Sequence, residues 1–175
     1  MGEALFVLGG CRSGKSRFAL QKAEGLPYKK RIFIATCIPQ DLEMKDRVKN
    51  HQIERDQSWV TVESPIRLTE SIDIHDDSRH VILIDCLTLW VSNLMMTDLS
   101  ESNIRQETEK LMERIRHAKS SIVLVSNEVG LGIVPDNALA RSFRDIVGYV
   151  NQQTAIAAHH VYFMIAGIPM CIKSS

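Results

Sequence analysis

The chain has 175 residues, with Lys plus Arg and Asp plus Glu equal at 21 each, so its formal charge is zero. That length suits one domain over residues 1–175, burying about two thirds of its extended surface in one core. The neutral balance, without a basic stripe, argues against DNA or RNA as a partner. No apolar run reaches transmembrane length, and Glu3 stands where a secretory leader would carry basic residues. Cys11, Cys37, Cys86 and Cys171 lie far apart with no CxxC spacing. This excludes a zinc ribbon or a disulfide framework, fits a reducing cytoplasm, and reads as a set of small buried thiols.

The first strand is ALFVL, and GGCRSGKSR follows it directly before the helical stretch SRFALQKAEG. Gly9, four residues, then Gly14-Lys15-Ser16 is the P-loop pattern in its proper strand-to-helix setting. Backbone amides can wrap a phosphate only where side chains stay clear, hence the glycines, and the helix start adds the positive end of its dipole. Gly9, Gly10, Cys11, Arg12, Ser13, Gly14, Lys15 and Ser16 are therefore the expected nucleotide cradle. Lys15 would reach the β- and γ-phosphates, and the Ser16 hydroxyl would ligate Mg²⁺.

RIFIAT from Arg31 is the second strand, followed by helix-forming residues from Asp41 to about Arg55. Arg47, His51 and Arg55 fall at i, i+4 spacing and share one face of such a helix. Two guanidiniums flanking an imidazole suit a phosphate, and positive neighbours keep a histidine neutral and nucleophilic. The same stripe also reads as a solvated face paired with Glu43 and Glu54, and spacing alone leaves both open.

VTVE from Val60 and HVILID from His80 are the next strands. Asp85 closes the second after four apolar residues, where a carboxylate holds Mg²⁺ or takes a proton from an attacking hydroxyl. LTLWVSNLMM, residues 87–96, reads as a helix with core and subunit contacts. A longer helix is expected over Glu101 to Lys119, then the strand SIVLVS from Ser121. Asn127 and Glu128 follow it, with Gly130 and Gly132 suited to tight turns. In the next helix, Ala138 to Ala158, Arg141, Arg144 and Asp145 recur at helical spacing. They read equally as a ligand or subunit surface and as a capped, ion-paired helix.

The last strand is HVYFMIAG from His160, and GIPMCIK after it turns back as a hairpin strand. The pair His159-His160 has no cluster of carboxylates or cysteines around it and reads as packed or exposed. Apolar strands alternating with amphipathic helices specify a P-loop NTPase-like (RecA-like), doubly wound α/β fold: a mostly parallel sheet with a final antiparallel hairpin strand.

Three segments carry a resemblance covering essentially the full chain: GGCRSGKSR; IATCIPQDLEMKDRVKNHQIER; and SNEVGLGIVPDNALARSFRDIVGYVNQQTA, residues 126–155. They resemble the bifunctional adenosylcobinamide kinase and adenosylcobinamide-phosphate guanylyltransferase family of cobalamin biosynthesis. The resemblance implies two reactions. In one, ATP or GTP phosphorylates adenosylcobinamide. In the other, GMP from GTP passes through a guanylyl-histidine, by motif position His51, to adenosylcobinamide phosphate, giving adenosylcobinamide-GDP and pyrophosphate. It further implies nucleotide contacts at Thr36, Cys37, Ile38, Arg47, Gln52, Ile53, Glu54, Arg55 and Glu63, catalytic parts for Lys15 and Asp85, and a homotrimer. Where members often carry two adjacent histidines this chain has Asn50 before His51, and the acid that is Glu in some members is Asp85 here. Two other readings stand beside it: a simple P-loop small-molecule kinase with Asp85 as base, and a non-catalytic nucleotide switch.

Overall fold

The computed structural model describes residues 2–28, 30–38 and 58–174. Arg47, His51, Gln52, Ile53, Glu54 and Arg55 lie outside the described residues. The elements are β1 (Ala4–Gly9), α1 (Lys15–Glu24), β2 (Lys30–Ala35), β3 (Trp59–Glu63), α2 (Leu68–His75), β4 (His80–Asp85), α3 (Leu87–Met95), α4 (Glu101–Arg116), β5 (Ser121–Asn127), α5 (Ala138–Ala157), β6 (His160–Ile165) and β7 (Ile168–Ser174). Among the described residues the strands form one seven-stranded sheet in the order β3-β2-β4-β5-β1-β6-β7. All neighbours are parallel except β6 and β7. Both faces of the central strands are apolar because both are covered. Phe6, Ile32, Ile82, Ile84, Ile122 and Leu124 pack on one side against α2, α3, α4 and α5. Val7, Phe33, Leu83, Val123 and Val125 pack on the other side with Ala19, Leu20 and Ala23 of α1.

Two boundaries depart from the sequence pattern for identifiable reasons. Helix α4 starts as expected, with the Ser100 hydroxyl accepting from the Asn103 amide at 3.3 Å, but stops at Arg116 rather than Lys119. The Asp76 carboxylate takes the amides of Lys119 and Ser120, both at 2.8 Å, which draws that segment out of the helix. The closing hairpin turns at Ala166 (φ 49°) and Gly167 (φ 83°), so of the expected Gly167-Ile168-Pro169 turn only the glycine takes part. A two-residue turn with both central residues left-handed matches the twist of the flanking strands. Pro169 then sits within β7, an edge strand that tolerates a missing amide.

Helix α3 is mainly core, as its apolar run suggests. Leu87, Thr88, Trp90, Val91 and Leu94 are buried, and the Trp90 indole donates to the Ile66 carbonyl at 2.9 Å. His159 is tied into the frame by accepting the Ala4 amide at Nδ1, 3.0 Å away.

Candidate functional site

The loop from Gly9 to Ser16 joins β1 to α1 at the carboxyl edge of the sheet. Gly9 answers to space. A Cβ on Gly9 would lie 2.6 Å from the Met164 carbonyl oxygen and 2.9 Å from the Ser13 hydroxyl. Gly14, the N-cap of α1, is left-handed at φ 89°, and Arg12 is left-handed at φ 54°. Left-handed residues flanking Ser13 make the turn a concave anion-binding loop, closed at its far side by the Gly167 amide donating to the Ser13 carbonyl at 3.1 Å.

Lys15 is buried, and its ammonium donates to the Gly10 carbonyl at 2.6 Å. Burial pushes its pKa below the usual lysine value, while the charges of Asp85, Cys86 and Cys11 pull in the opposite direction. The Ser13 hydroxyl is buried without a hydrogen-bond partner among the described residues. Ser16 and Gly10 are half-buried, and Cys11 and Arg12 are exposed. Of the four cysteines only Cys86 is fully buried, so the expectation of small buried thiols fails for Cys11 and Cys171, which are exposed, and for the half-buried Cys37. Cys11 lies in a loop whose backbone wraps a concavity, which turns its side chain outward.

Asp85 closes β4, half-buried, level with Ala35 of β2 and, through it, with Glu63 of β3. Glu63 and Ile38 are exposed, Cys37 is half-buried, and burial followed by the charge of Asp85 pushes the Cys37 thiol pKa up. Thr36 has no exposed surface. Its hydroxyl donates to the Cys86 carbonyl at 2.8 Å and accepts the Cys86 amide at 2.7 Å, so its side chain clamps the turn after Asp85. Cys86 itself is so enclosed, and so near Asp85, that its thiol pKa is pushed up to about 12.

The NEVG segment meets the loop directly: the Glu128 amide donates to the Gly9 carbonyl at 2.9 Å. Arg141 and Arg144 are spent on loop carbonyls, and among the described residues neither forms the ion pair with a carboxylate that the capped, ion-paired reading expects. Arg141 donates to Pro135 and Asp136, Arg144 to Ile133 and Gly130, and the Asn137 side chain caps α5. Gly130 and Gly132 are absent from the left-handed residues, so no tight turn demands glycine there.

Of four polar residues near the site, Asn93 and Thr88 escaped the sequence reading, while Ser126 and Asn151 lay in the segment 126–155 without a part assigned to them. Asn93 donates to the carbonyls of Thr36 (2.8 Å) and Pro65 (3.0 Å). Thr88, Ser126 and Asn151 surround the end of β5. The available signal was an amide and a hydroxyl inside the apolar run LTLWVSNLMM, where a buried polar group requires a partner.

An oxygen-lined edge with a buried lysine, a strand-end carboxylate and an amide-walled loop is equipped to hold a polyphosphate. The solved structure of a type III secretion system ATPase overlays this chain with a TM-score of 0.61 at 13% identity, covering 93% of this chain and 51% of that one. That likeness concerns the fold, which is that of P-loop NTPases. The bifunctional adenosylcobalamin biosynthesis protein CobP of Pseudomonas aeruginosa is 38% identical over 169 residues, 95% of each chain. Its counterpart CobU of Escherichia coli is 38% identical over 183 residues, 97% of this chain and 99% of that one. Residues 5–172 match the model of the family described as cobinamide kinase / cobinamide phosphate guanyltransferase, and the chain belongs to that family.

Proposed function

We propose that this bifunctional transferase phosphorylates adenosylcobinamide with ATP or GTP and then moves GMP from GTP, through a guanylyl-His51 intermediate, to adenosylcobinamide phosphate. The products of the second step are adenosylcobinamide-GDP and pyrophosphate. The observation that carries the proposal is Lys15, a buried ammonium held inside a glycine loop and within the field of Asp85, in a chain of this family. A buried cation of that kind is costly unless an anion repays it.

In both reactions the loop of Gly9, Gly10, Cys11, Arg12, Ser13, Gly14, Lys15 and Ser16 neutralises charge that develops on the leaving phosphates. When the attacked atom is the γ-phosphorus, Asp85 takes the proton of the corrinoid hydroxyl. When it is the α-phosphorus, the imidazole of His51 attacks, pyrophosphate leaves, and Arg47 and Arg55 neutralise the α-phosphate. Cys37, Ile38, Gln52, Ile53, Glu54 and Glu63 hold base and ribose. Glu63 suits the guanine N1–H and 2-amino group because a carboxylate accepts both. The expected contribution of Thr36 is to fix the turn that carries Asp85.

The donor set fits Mg²⁺: the Ser16 hydroxyl and Asp85 carboxylate supply hard oxygens, and this ion takes few protein ligands beside phosphates and water. Held there by Ser16 and Asp85, it would offset the charge of the phosphates. The homotrimer is supported by an apolar patch of Leu131, Ile133, Val134 and Leu139, all largely exposed. A cytoplasmic location is supported by four free cysteines. No helix among the described residues is long and apolar enough to cross a membrane. Relatives named bifunctional disfavour the simple kinase.

The decisive experiment incubates the protein with GTP labelled at the α-phosphate. An acid-labile, alkali-stable protein adduct that His51→Ala abolishes is expected; undiminished label in the variant removes His51 from the mechanism.

A further inference from the structure

Asn127 is the last residue of β5, the strand lying between β1, which ends in the glycine loop, and β4, which ends in Asp85. Register places it level with Gly9, two residues beyond Val125, the partner of Asp85. Alternation along the strand decides its face. Ile122 and Leu124 pack with the four-helix side, and the Ser126 hydroxyl lies 3.0 Å from that of Thr88 on α3. Val123 and Val125 pack with α1, as do Val81 and Leu83 of β4. Asn127 and Asp85 therefore share the face occupied by α1 and Lys15.

The backbone of Asn127 is held from both sides. Its amide donates to the Thr88 hydroxyl at 2.7 Å, and its carbonyl accepts from the Asn151 side-chain amide at 3.1 Å. Asn151 is only 6% exposed and its own carbonyl oxygen has no partner among the described residues, so it has no competing task. The next residue, Glu128, is bonded to Gly9, which locks the strand end to the loop. Half-buried, the side-chain amide of Asn127 makes no hydrogen bond among the described residues. Such a rigidly mounted, unspent donor beside an anion cradle is suited to a phosphate oxygen.

We propose that the Asn127 side-chain amide donates to the terminal phosphate of the nucleoside triphosphate held by the loop, with Thr88 and Asn151 as positioning residues. The inference rests on the loop binding a triphosphate. The β-phosphate occupies the loop, Lys15 lies within the field of Asp85, and the next phosphate extends toward that acid past the end of β5. A neutral amide there distinguishes triphosphate from diphosphate without adding charge.

Calorimetric titration of the full chain, without corrinoid, with GDP and with the α,β-methylene analogue of GTP, whose α–β linkage His51 cannot cleave, tests this. Asn127→Ala should weaken the analogue about tenfold, the value of one hydrogen bond to a charged group, and leave GDP within about twofold. Asn127→Ser, a second route to the same loss should the first variant fold poorly, should shift the preference in the same direction. Thr88→Val should lose part of the preference and Thr88→Ser recover it, a rescue that a purely packing role does not predict. Equal weakening of both nucleotides, or an unchanged preference in the Asn127 variants, overturns the proposal. A wild-type chain that binds neither nucleotide overturns the nucleotide reading itself, and this inference with it.

Discussion

The two edges of the sheet treat their polar groups in opposite ways. At the amino-terminal edge the groups around Asp76 are engaged, although among the described residues the Arg31 Nε is not: Asp76 takes two backbone amides and the Arg114 guanidinium at 2.7 Å. Beside it the Ser120 hydroxyl accepts from the Asp77 amide and donates to the Asp77 carbonyl, each at 3.0 Å. At the carboxyl edge the Ser13 hydroxyl, the Asn151 oxygen and the Asn127 amide are unspent among the described residues, and Lys15 holds a charge against burial. Saturated groups stabilise the fold, whereas unsaturated groups in a rigid frame hold bonding capacity for a ligand, at a cost in stability.

Removing the buried lysine should separate the two edges most sharply. Lys15→Met is expected to lower both half-reactions by at least about a hundredfold, since each loses a preorganised charge on the leaving phosphates. The same variant should raise the thermal midpoint. A base whose folded pKa lies below its unfolded value is disfavoured in its charged form, so at neutral pH Lys15 subtracts from stability. A lowered midpoint would contradict that cost.

A substitution at the saturated edge should do the reverse. Asp76→Ala is expected to cost about 2–3 kcal/mol in denaturant unfolding, because Arg114 and two amides lose their acceptor. Activity per folded molecule should be unchanged. Burial raises the Asp76 pKa, but the bonds from Arg114 and Ser120 outweigh it and hold the carboxyl below its usual value. Its contribution is therefore present above about pH 4 and lost as pH falls through the folded pKa. The variant should show a shallower acid-unfolding limb, and an unaltered limb would remove Asp76 from that role.

The smallest effect concerns the thiols. At pH 8 iodoacetamide should modify exposed Cys11 and Cys171 in the native protein and spare Cys86. With a folded pKa of about 12 against an ordinary 9.0, the folded state keeps a proton that the unfolded chain loses. Stability from Cys86 is thus complete below pH 9 and lost toward pH 12. Mass spectrometry of peptides from the native protein reads the labelling, and prompt labelling of Cys86 would contradict its enclosure.

The loop, the strands and Asp85 were evident in the sequence because each depends on neighbours within a few residues. The GxxxxGKS spacing, four apolar residues before an acid, and a helix start after Gly14 are local facts, whereas the Met164 carbonyl that leaves no room for a Cβ on Gly9 comes from the far end of the chain. Thr36 was evident as a position near the site but not in its part, because its partner Cys86 is 50 residues away. The end of α4 was misplaced for a similar reason: Asp76, 43 residues from Lys119, competes for amides that helical periodicity assigns to the helix. The positive φ at Ala166 drew the hairpin turn back toward β6, since propensity assigned it to Gly167-Ile168-Pro169.

By itself the sequence determined a β-loop-helix phosphate cradle, apolar parallel strands with a carboxylate at the end of one, and membership of a motif-bearing family. Tertiary structure alone decided which polar groups share the cradle's face. Asn127 is brought between Gly9 and Asp85 by strand order, and is clamped by Thr88 and Asn151 from 39 and 24 residues away. A period of two in a strand says which residues lie on a common face. Only the pairing of strands and the burial of distant polar partners say what that face meets.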